Sequence, residues 1–213
     1  MSEYRKKLFP ISIFHSSVEN NNKIKDLLIP HVENYKKDLN TAPSGWMTTK
    51  IITSYENDEI NSIFQEGEEL SNEIKSQYTN VLETFFDKKW QGYIESMWFN
   101  YYENGEYQEF HTHLGTFNKL IHFAGVHFVS FDSSVHNSLI FLDPISKLRN
   151  FSLEIDSNNY NEIYTLNAKE GDIVIFPSYL EHGVKSGIST PGNPRITISF
   201  NISIQSYDRG NIC

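Results

Sequence analysis

Glu109-Phe110-His111-Thr112-His113 is the densest run of metal-binding chemistry in this 213-residue chain. Successive side chains of a strand alternate faces, so His111 and His113 point the same way and Glu109 precedes them on that face. A third imidazole, His182, follows the apolar run Gly171-Asp172-Ile173-Val174-Ile175-Phe176-Pro177 and the turn Ser178-Tyr179-Leu180-Glu181. That strand-and-turn setting can return it to the first pair. Arg195 then opens the alternating run Arg195-Ile196-Thr197-Ile198-Ser199-Phe200-Asn201, in which Arg195, Thr197 and Ser199 share one face. The pattern reads as three metal ligands and a cation that can hold a carboxylate. Non-haem Fe(II) commonly sits on two histidines and one carboxylate, with further positions left open, and an imidazole must be neutral to bind it. A His-x-His in a strand is a weak signal by itself, because surface histidines produce it too. The distal His182, followed by Arg195, moves the reading to a metal site.

The elements that must bring these residues together are mostly strands. Aromatic residues make up 14% of the chain, with 15 Phe and 12 Tyr, which favours a β-rich core over a small helical bundle. The length suits one domain, expected over 1–213 as a helical outer part with an edge strand (1–90), a β core (91–206) and a tail (207–213). A net charge of −9 argues against a general nucleic-acid-binding surface, with duplex DNA the poorest fit. The one cysteine is Cys213, so no internal disulfide or cysteine metal site can form. No apolar run is long enough to span a bilayer, and Met1 to Lys7 lacks the apolar core of a signal peptide. The expectation is a soluble, cytoplasmic protein, in the host cytoplasm if the source is viral.

Along the chain, Leu8 to Phe14 reads as an edge strand because Pro10 cannot donate to a ladder. Ile24, Leu27, Leu28, His31, Val32 and Tyr35 have helical spacing within 24–39, with Pro30 expected to kink or divide that helix. Ala42 to Trp46 reads as a loop with an aromatic anchor. From Asp58 to Phe86 the apolar spacing predicts two helices parted at Gly67. The cluster Glu66, Glu68, Glu69 and Glu73 reads as a solvated helix face. Strands are predicted at 94–102, 107–113, 121–131, 138–142, 150–155, 160–166, 172–177, 182–186 and 195–204, joined by turn-like breakers such as Asn104-Gly105 and Pro191 to Pro194. Many short strands without intervening helices argue for an antiparallel barrel or jelly roll, with the helices packed outside it.

Several stretches together resemble the 2-oxoglutarate and Fe(II)-dependent oxygenases, in particular a poorly characterised group common in tailed phages and marine bacteria. They are Trp98-Phe99-Asn100, Asn104 to Gln108, His111-Thr112-His113, Ala124 to Val129, Ile140 to Pro144, Gly171 to Pro177, His182 and Arg195 to Asn201. The likeness covers nearly all of 95–205, with weaker echoes at Leu8-Phe9-Pro10 and Ser44-Gly45-Trp46. It implies a mainly β, double-stranded β-helix of jelly-roll, cupin-like form. It also implies that Fe(II) and 2-oxoglutarate are the cofactors and that Arg195 grips the far carboxylate of 2-oxoglutarate; Thr197 and Ser199, on the Arg195 face, read either as ordinary strand residues or as hydrogen-bond partners of that carboxylate. A planar guanidinium suits that task because it offers two parallel hydrogen bonds.

Where most members of that superfamily have His-x-Asp or His-x-Glu, this chain has His-x-His. The leading ligand set is His111, His113 and His182; its rival takes the carboxylate of Glu109 or Asp143 and moves one close histidine out of the coordination shell. The activity implied is hydroxylation with release of succinate and carbon dioxide, on a small-molecule or peptidyl substrate. Barrels of this kind often pair through their helices, which makes a homodimer the assembly to test. Two competing readings keep the metal: a cupin-like binding or sensing module without turnover, and a three-histidine dioxygenase that does not use 2-oxoglutarate. Of the other histidines, His122 and His127 face opposite sides of a strand and read as satisfied polar positions, while His15, His31 and His136 are given no role. Trp98, Phe123, Phe128 and Phe141 read as core.

Overall fold

A computed structural model describes residues 11–36, 43, 46–47, 51–65, 67–86, 90–103, 105–114, 120–145, 162–187 and 192–206. The elements in chain order are β1 (Phe14–Ser17), α1 (Asn21–Tyr35), β2 (Ile52–Thr53), α2 (Asp58–Asn61) with a 3-10 turn at Ser62–Phe64, α3 (Glu69–Phe85) and β3 (Trp90–Tyr102). They continue with β4 (Gln108–His111), β5 (Phe123–Ser130), β6 (Leu139–Leu142), β7 (Ile163–Thr165), β8 (Asp172–Pro177), β9 (His182–Val184) and β10 (Arg195–Ser206).

The strands form two antiparallel sheets, a six-stranded one ordered β1-β8-β5-β10-β3-β2 and a four-stranded one ordered β4-β9-β6-β7. Side chains from both sheets, among them Val126, Phe128, Phe141, Val174, Phe176 and Val184, meet in one apolar cluster. This is the expected mainly β jelly roll. The large sheet also buries its other face. Ile196, Ile198, Phe200 and Ile202 of β10 pack with Ile24, Leu28 and Val32 of α1 and Leu70, Ile74 and Tyr78 of α3. The helices therefore lie outside the roll, as expected, and the middle strands are covered on both sides. That is why β5 and β8 are apolar almost throughout. Complete burial of each such Ile or Phe contributes about 1.5–3 kcal/mol. Gly125 permits the closest of these contacts, since a Cβ there would sit 2.2 Å from the Phe200 ring.

Several boundaries differ from expectation. The edge strand is β1, four residues pairing with β8, and Ile11 to Ile13 lie before it. Pro30 lies inside α1 and does not divide it. The buried stripe Ile24, Leu28 and Val32 holds the helix against the sheet through the missing hydrogen bond. Gly67, with φ of +102°, parts α3 from the short helical turns before it, as its freedom at positive φ allows. Glu73 is not simply solvated: it pairs with Lys23 at 2.6 Å and accepts from Asn20 and Gln77. β2, which pairs with β3 at Ile52–Tyr101 and Thr53–Asn100, is an element the periodicity does not reveal. The strand expected at 150–155, the residues before Ile11 and the tail 207–213 lie outside the described residues. No described helix is long and apolar enough to cross a membrane.

Candidate metal and cosubstrate site

β4 and β9 are neighbours in the small sheet, with His111 directly opposite His182. The strands approach closely because β9 carries Gly183, where a Cβ would meet the Gln108 carbonyl oxygen at 2.8 Å. His113 lies just past β4, its backbone N–H donating to Ser178 O at 2.8 Å in the turn that leads to β9. The ring centroids are 4.3 Å apart for His111 and His182, 5.1 Å for His111 and His113, and 5.0 Å for His113 and His182. Their ligand atoms all lie within 4.8 Å of one another.

Each imidazole is held through Nδ1 by an oxygen. His111 Nδ1 is 2.8 Å from Glu109 O, His182 Nδ1 is 2.9 Å from Leu180 O, and His113 Nδ1 is 2.7 Å from Asn201 Oδ1. Asn201 is oriented in turn by donating Nδ2 to Ser96 Oγ at 3.0 Å. An acceptor at Nδ1 fixes the proton there and leaves Nε2 with a free lone pair, which is the arrangement metal-binding histidines use. Burial lowers the pKa of all three. His113 falls to about 4, with His111 beside it adding to the effect. His182 is pushed well below the usual imidazole value, and His111 is lowered less because Glu109 counteracts. All three imidazoles are therefore neutral near pH 7, the form that can bind a metal.

The histidines open into a pocket of about 570 Å³ whose far wall is the pocket-facing side of β10 and β3. Arg195, Thr197, Ser199 and Asn201 line it. Arg195 is 3% exposed, and its Nε donates to Asn137 O at 3.1 Å. The guanidinium carbon lies 4.3 Å from the Tyr102 ring centroid. Its Nη1 is buried without a hydrogen-bond partner among the described residues. Burial lowers the guanidinium pKa, but an arginine stays charged at neutral pH. An unpaired buried cation is costly, so this nitrogen is a ready receptor for a carboxylate that enters the pocket.

Asn100 is held from both sides within this wall. Thr53 Oγ1 donates to Asn100 Oδ1 at 2.8 Å, and Asn100 Nδ2 donates to Ser199 Oγ at 3.0 Å. Trp98, expected as core, lines the pocket and stacks on His113 at 5.8 Å, and the Tyr55 and Trp46 rings continue outward from it. Phe128 and Phe141 are core as expected.

Neither carboxylate considered as a ligand belongs to the histidine group. The regular alternation between Glu109 and His111 is interrupted by a bulge: four residues of β4, from Gln108 to His111, span three of β9, from Val184 to His182. Glu109 lines the pocket but accepts the Met47 N–H at Oε1, 2.9 Å away. Asp143 closes a turn on Ile145 N at 3.0 Å. His127 faces the helices, its Nδ1 2.8 Å from Tyr78 Oη, and His136 pins a loop through Asp132 N and Asn193 O. The part of Asn201 in holding His113 was not read from sequence. Its signal was there, because the alternation from Arg195 extends through Thr197 and Ser199 to Asn201.

Residues 96–201 match the family described as "Putative 2OG-Fe(II) oxygenase". Among solved structures, the prolyl hydroxylase of Trichoplax adhaerens in complex with a hypoxia inducible factor oxygen degradation domain peptide fragment is similar, with a TM-score of 0.61 and 10% identity over 89% of this chain and 82% of that one. AviO1 from Streptomyces viridochromogenes Tue57 gives 0.59 and 10% identity over 95% and 92% of the two chains. HygX from Streptomyces hygroscopicus with nickel, 2-oxoglutarate and hygromycin B bound gives 0.52 and 10% identity over 91% and 83%. No curated protein matches by sequence. Identities this low carry the fold alone, and the family match carries the chemistry. With Fe(II) and 2-oxoglutarate as its cofactors, the chain belongs to the 2-oxoglutarate and Fe(II)-dependent oxygenases.

Proposed function

We propose that His111, His113 and His182 hold Fe(II) through their Nε2 atoms, and that Arg195, assisted by Thr197, grips the far carboxylate of 2-oxoglutarate. One observation carries this reading: three imidazoles freed at Nε2 share a pocket with a guanidinium nitrogen that has no partner. The reaction is hydroxylation of a small-molecule or peptidyl substrate. Held by these three histidines, Fe(II) would supply, with 2-oxoglutarate and oxygen, the oxidising chemistry for hydroxylation of a C–H bond with release of succinate and carbon dioxide.

The protein's own part is positioning. Glu109 O, Leu180 O and Asn201 Oδ1 keep the three imidazoles in one tautomer. The ligand set is neutral, so the dianionic cosubstrate supplies the balancing negative charge. Arg195 and Thr197 fix its far end, and the Trp98 ring beside His113 keeps water from that side. The peptide bound to the Trichoplax enzyme and the hygromycin B bound to HygX are consistent with either substrate class. A cupin-like sensor or a three-histidine enzyme that ignores keto acids leaves the unpaired nitrogen of Arg195 without a counterpart.

The test is incubation of the protein with Fe(II), oxygen and 2-oxoglutarate while succinate is measured. The expected result is slow, Fe(II)-dependent succinate formation even without substrate, which Arg195→Ala suppresses at low 2-oxoglutarate concentration. Metal binding with no 2-oxoglutarate affinity and no succinate would contradict the proposal.

A further inference from the structure

The pocket holds a second unpaired charge, of the opposite sign to Arg195. Glu109 accepts the Met47 N–H at Oε1, but its Oε2 is shielded from water and has no hydrogen-bond partner among the described residues. A buried carboxylate oxygen left so is unfavourable until something donates to it. Among the described residues, Arg195 and Glu109 are not paired with each other, so each charge is free for a different ligand.

The surroundings of Glu109 narrow what that ligand is. The second carboxylate on the pocket wall is Glu95. It sits at a bulge in β3, where Asn201 pairs with Ser96 and Ile202 with Ile94, leaving Glu95 as the extra residue. Trp46, Tyr55 and Trp98 form a continuous aromatic file along the same wall, with centroids 5.5 Å and 5.0 Å apart. Met47 is 73% exposed, Leu114 65% and Phe110 39%, and all three line the pocket. Aromatic rings and a carboxylate oxygen that lacks a donor together favour an organic cation, and the apolar side chains suit an aliphatic stem.

We infer that this oxygenase acts on a substrate bearing an ammonium or guanidinium group on an aliphatic chain, with the cation held by Glu109 Oε2 among Trp46, Tyr55 and Trp98. The inference deepens the proposed function and rests on it. Anionic substrates are disfavoured, because Glu109 and Glu95 would repel them while Arg195 is taken by the cosubstrate.

The test uses the full chain loaded with Ni(II) and 2-oxoglutarate, so that binding is read without turnover. Calorimetry compares Nα-acetyl-lysine N-methylamide with Nα-acetyl-norleucine N-methylamide, and n-pentylamine with n-pentanol; the first pair represents a peptidyl source and the second a free amine. In at least one pair the cation should bind about tenfold tighter or more, as a charge-assisted hydrogen bond predicts. Glu109→Gln should abolish that preference with Ni(II) still bound, and Glu109→Asp should retain part of it. Equal or weaker binding of the cation in both pairs would overturn the inference. Loss of Ni(II) in Glu109→Gln would overturn it too, since the carboxylate would then be a metal ligand. Failure of the underlying reading shows separately, as 2-oxoglutarate affinity that Arg195→Ala does not change.

Discussion

β10 carries two chemistries on one strand. Ile196, Ile198, Phe200 and Ile202 face the helices in an apolar core, while Arg195, Thr197, Ser199 and Asn201 line the pocket. Two buried imidazoles repeat the contrast across the large sheet. His127 lies on the helix side, bonded to Tyr78 Oη at 2.8 Å with its Nε2 unpartnered among the described residues, and burial pushes its pKa down to about 3. His113 lies on the pocket side, at about 4, with its ring close to two more imidazoles. Both are buried and neutral, yet only one belongs to a group able to bind a metal. Burial and a low pKa therefore do not make a site. Convergence of free lone pairs does.

The strongest way to break this contrast is to remove one imidazole from each side. His182→Ala or His113→Ala should abolish stoichiometric metal binding and succinate formation, measured by metal analysis and by product assay. His127→Phe should leave metal content unchanged and cost about 1–3 kcal/mol in urea unfolding, because the buried Tyr78 hydroxyl loses its partner. If His127→Phe emptied the site, the two faces would not be independent.

The next effect concerns Arg195. Arg195→Ala should raise the KM for 2-oxoglutarate about 100-fold through loss of paired charge-assisted hydrogen bonds, with metal content kept. Arg195→Lys should fall between, since an ammonium keeps the charge but not the fork. Asn201 sharpens the contrast more gently. Asn201→Leu should weaken metal affinity about tenfold by freeing the His113 tautomer, while Asn201→Asp retains an acceptor and most of the affinity.

The smallest effect is on stability against pH. In the metal-free protein, His113 at about 4 and His127 at about 3 lie below the ordinary value of 6.5. The unfolded chain takes up protons first as pH falls. The stability these groups contribute is therefore complete above about pH 6.5 and is lost as pH drops toward 4 and then 3. Denaturant unfolding across that range should show the fall, and His127→Phe should make it shallower.

The site histidines and Arg195 were legible because strand alternation and a strand-turn-histidine unit are local patterns, and the roll because its strands are bounded by turn residues. What stayed hidden depends on contacts distant in sequence. β2 is two residues long and exists only by pairing with β3. α1 runs through Pro30 because the sheet beneath holds it. Glu109 read as a regular same-face partner of His111, but the β4 bulge, set by the β9 partner, interrupts the alternation, and one oxygen of its carboxylate accepts the Met47 N–H, 62 residues away in sequence. Trp98 read as core because burial and pocket lining carry the same apolar signature.

The most direct test of the metal site is anomalous diffraction from crystals loaded anaerobically with Mn(II) and 2-oxoglutarate. One metal peak bound by Nε2 of His111, His113 and His182, with the far carboxylate of the cosubstrate against Arg195, is the predicted result. A metal bound by Glu109 or Asp143 with one of those histidines turned away, or a cosubstrate that leaves Arg195 unpaired, would contradict it.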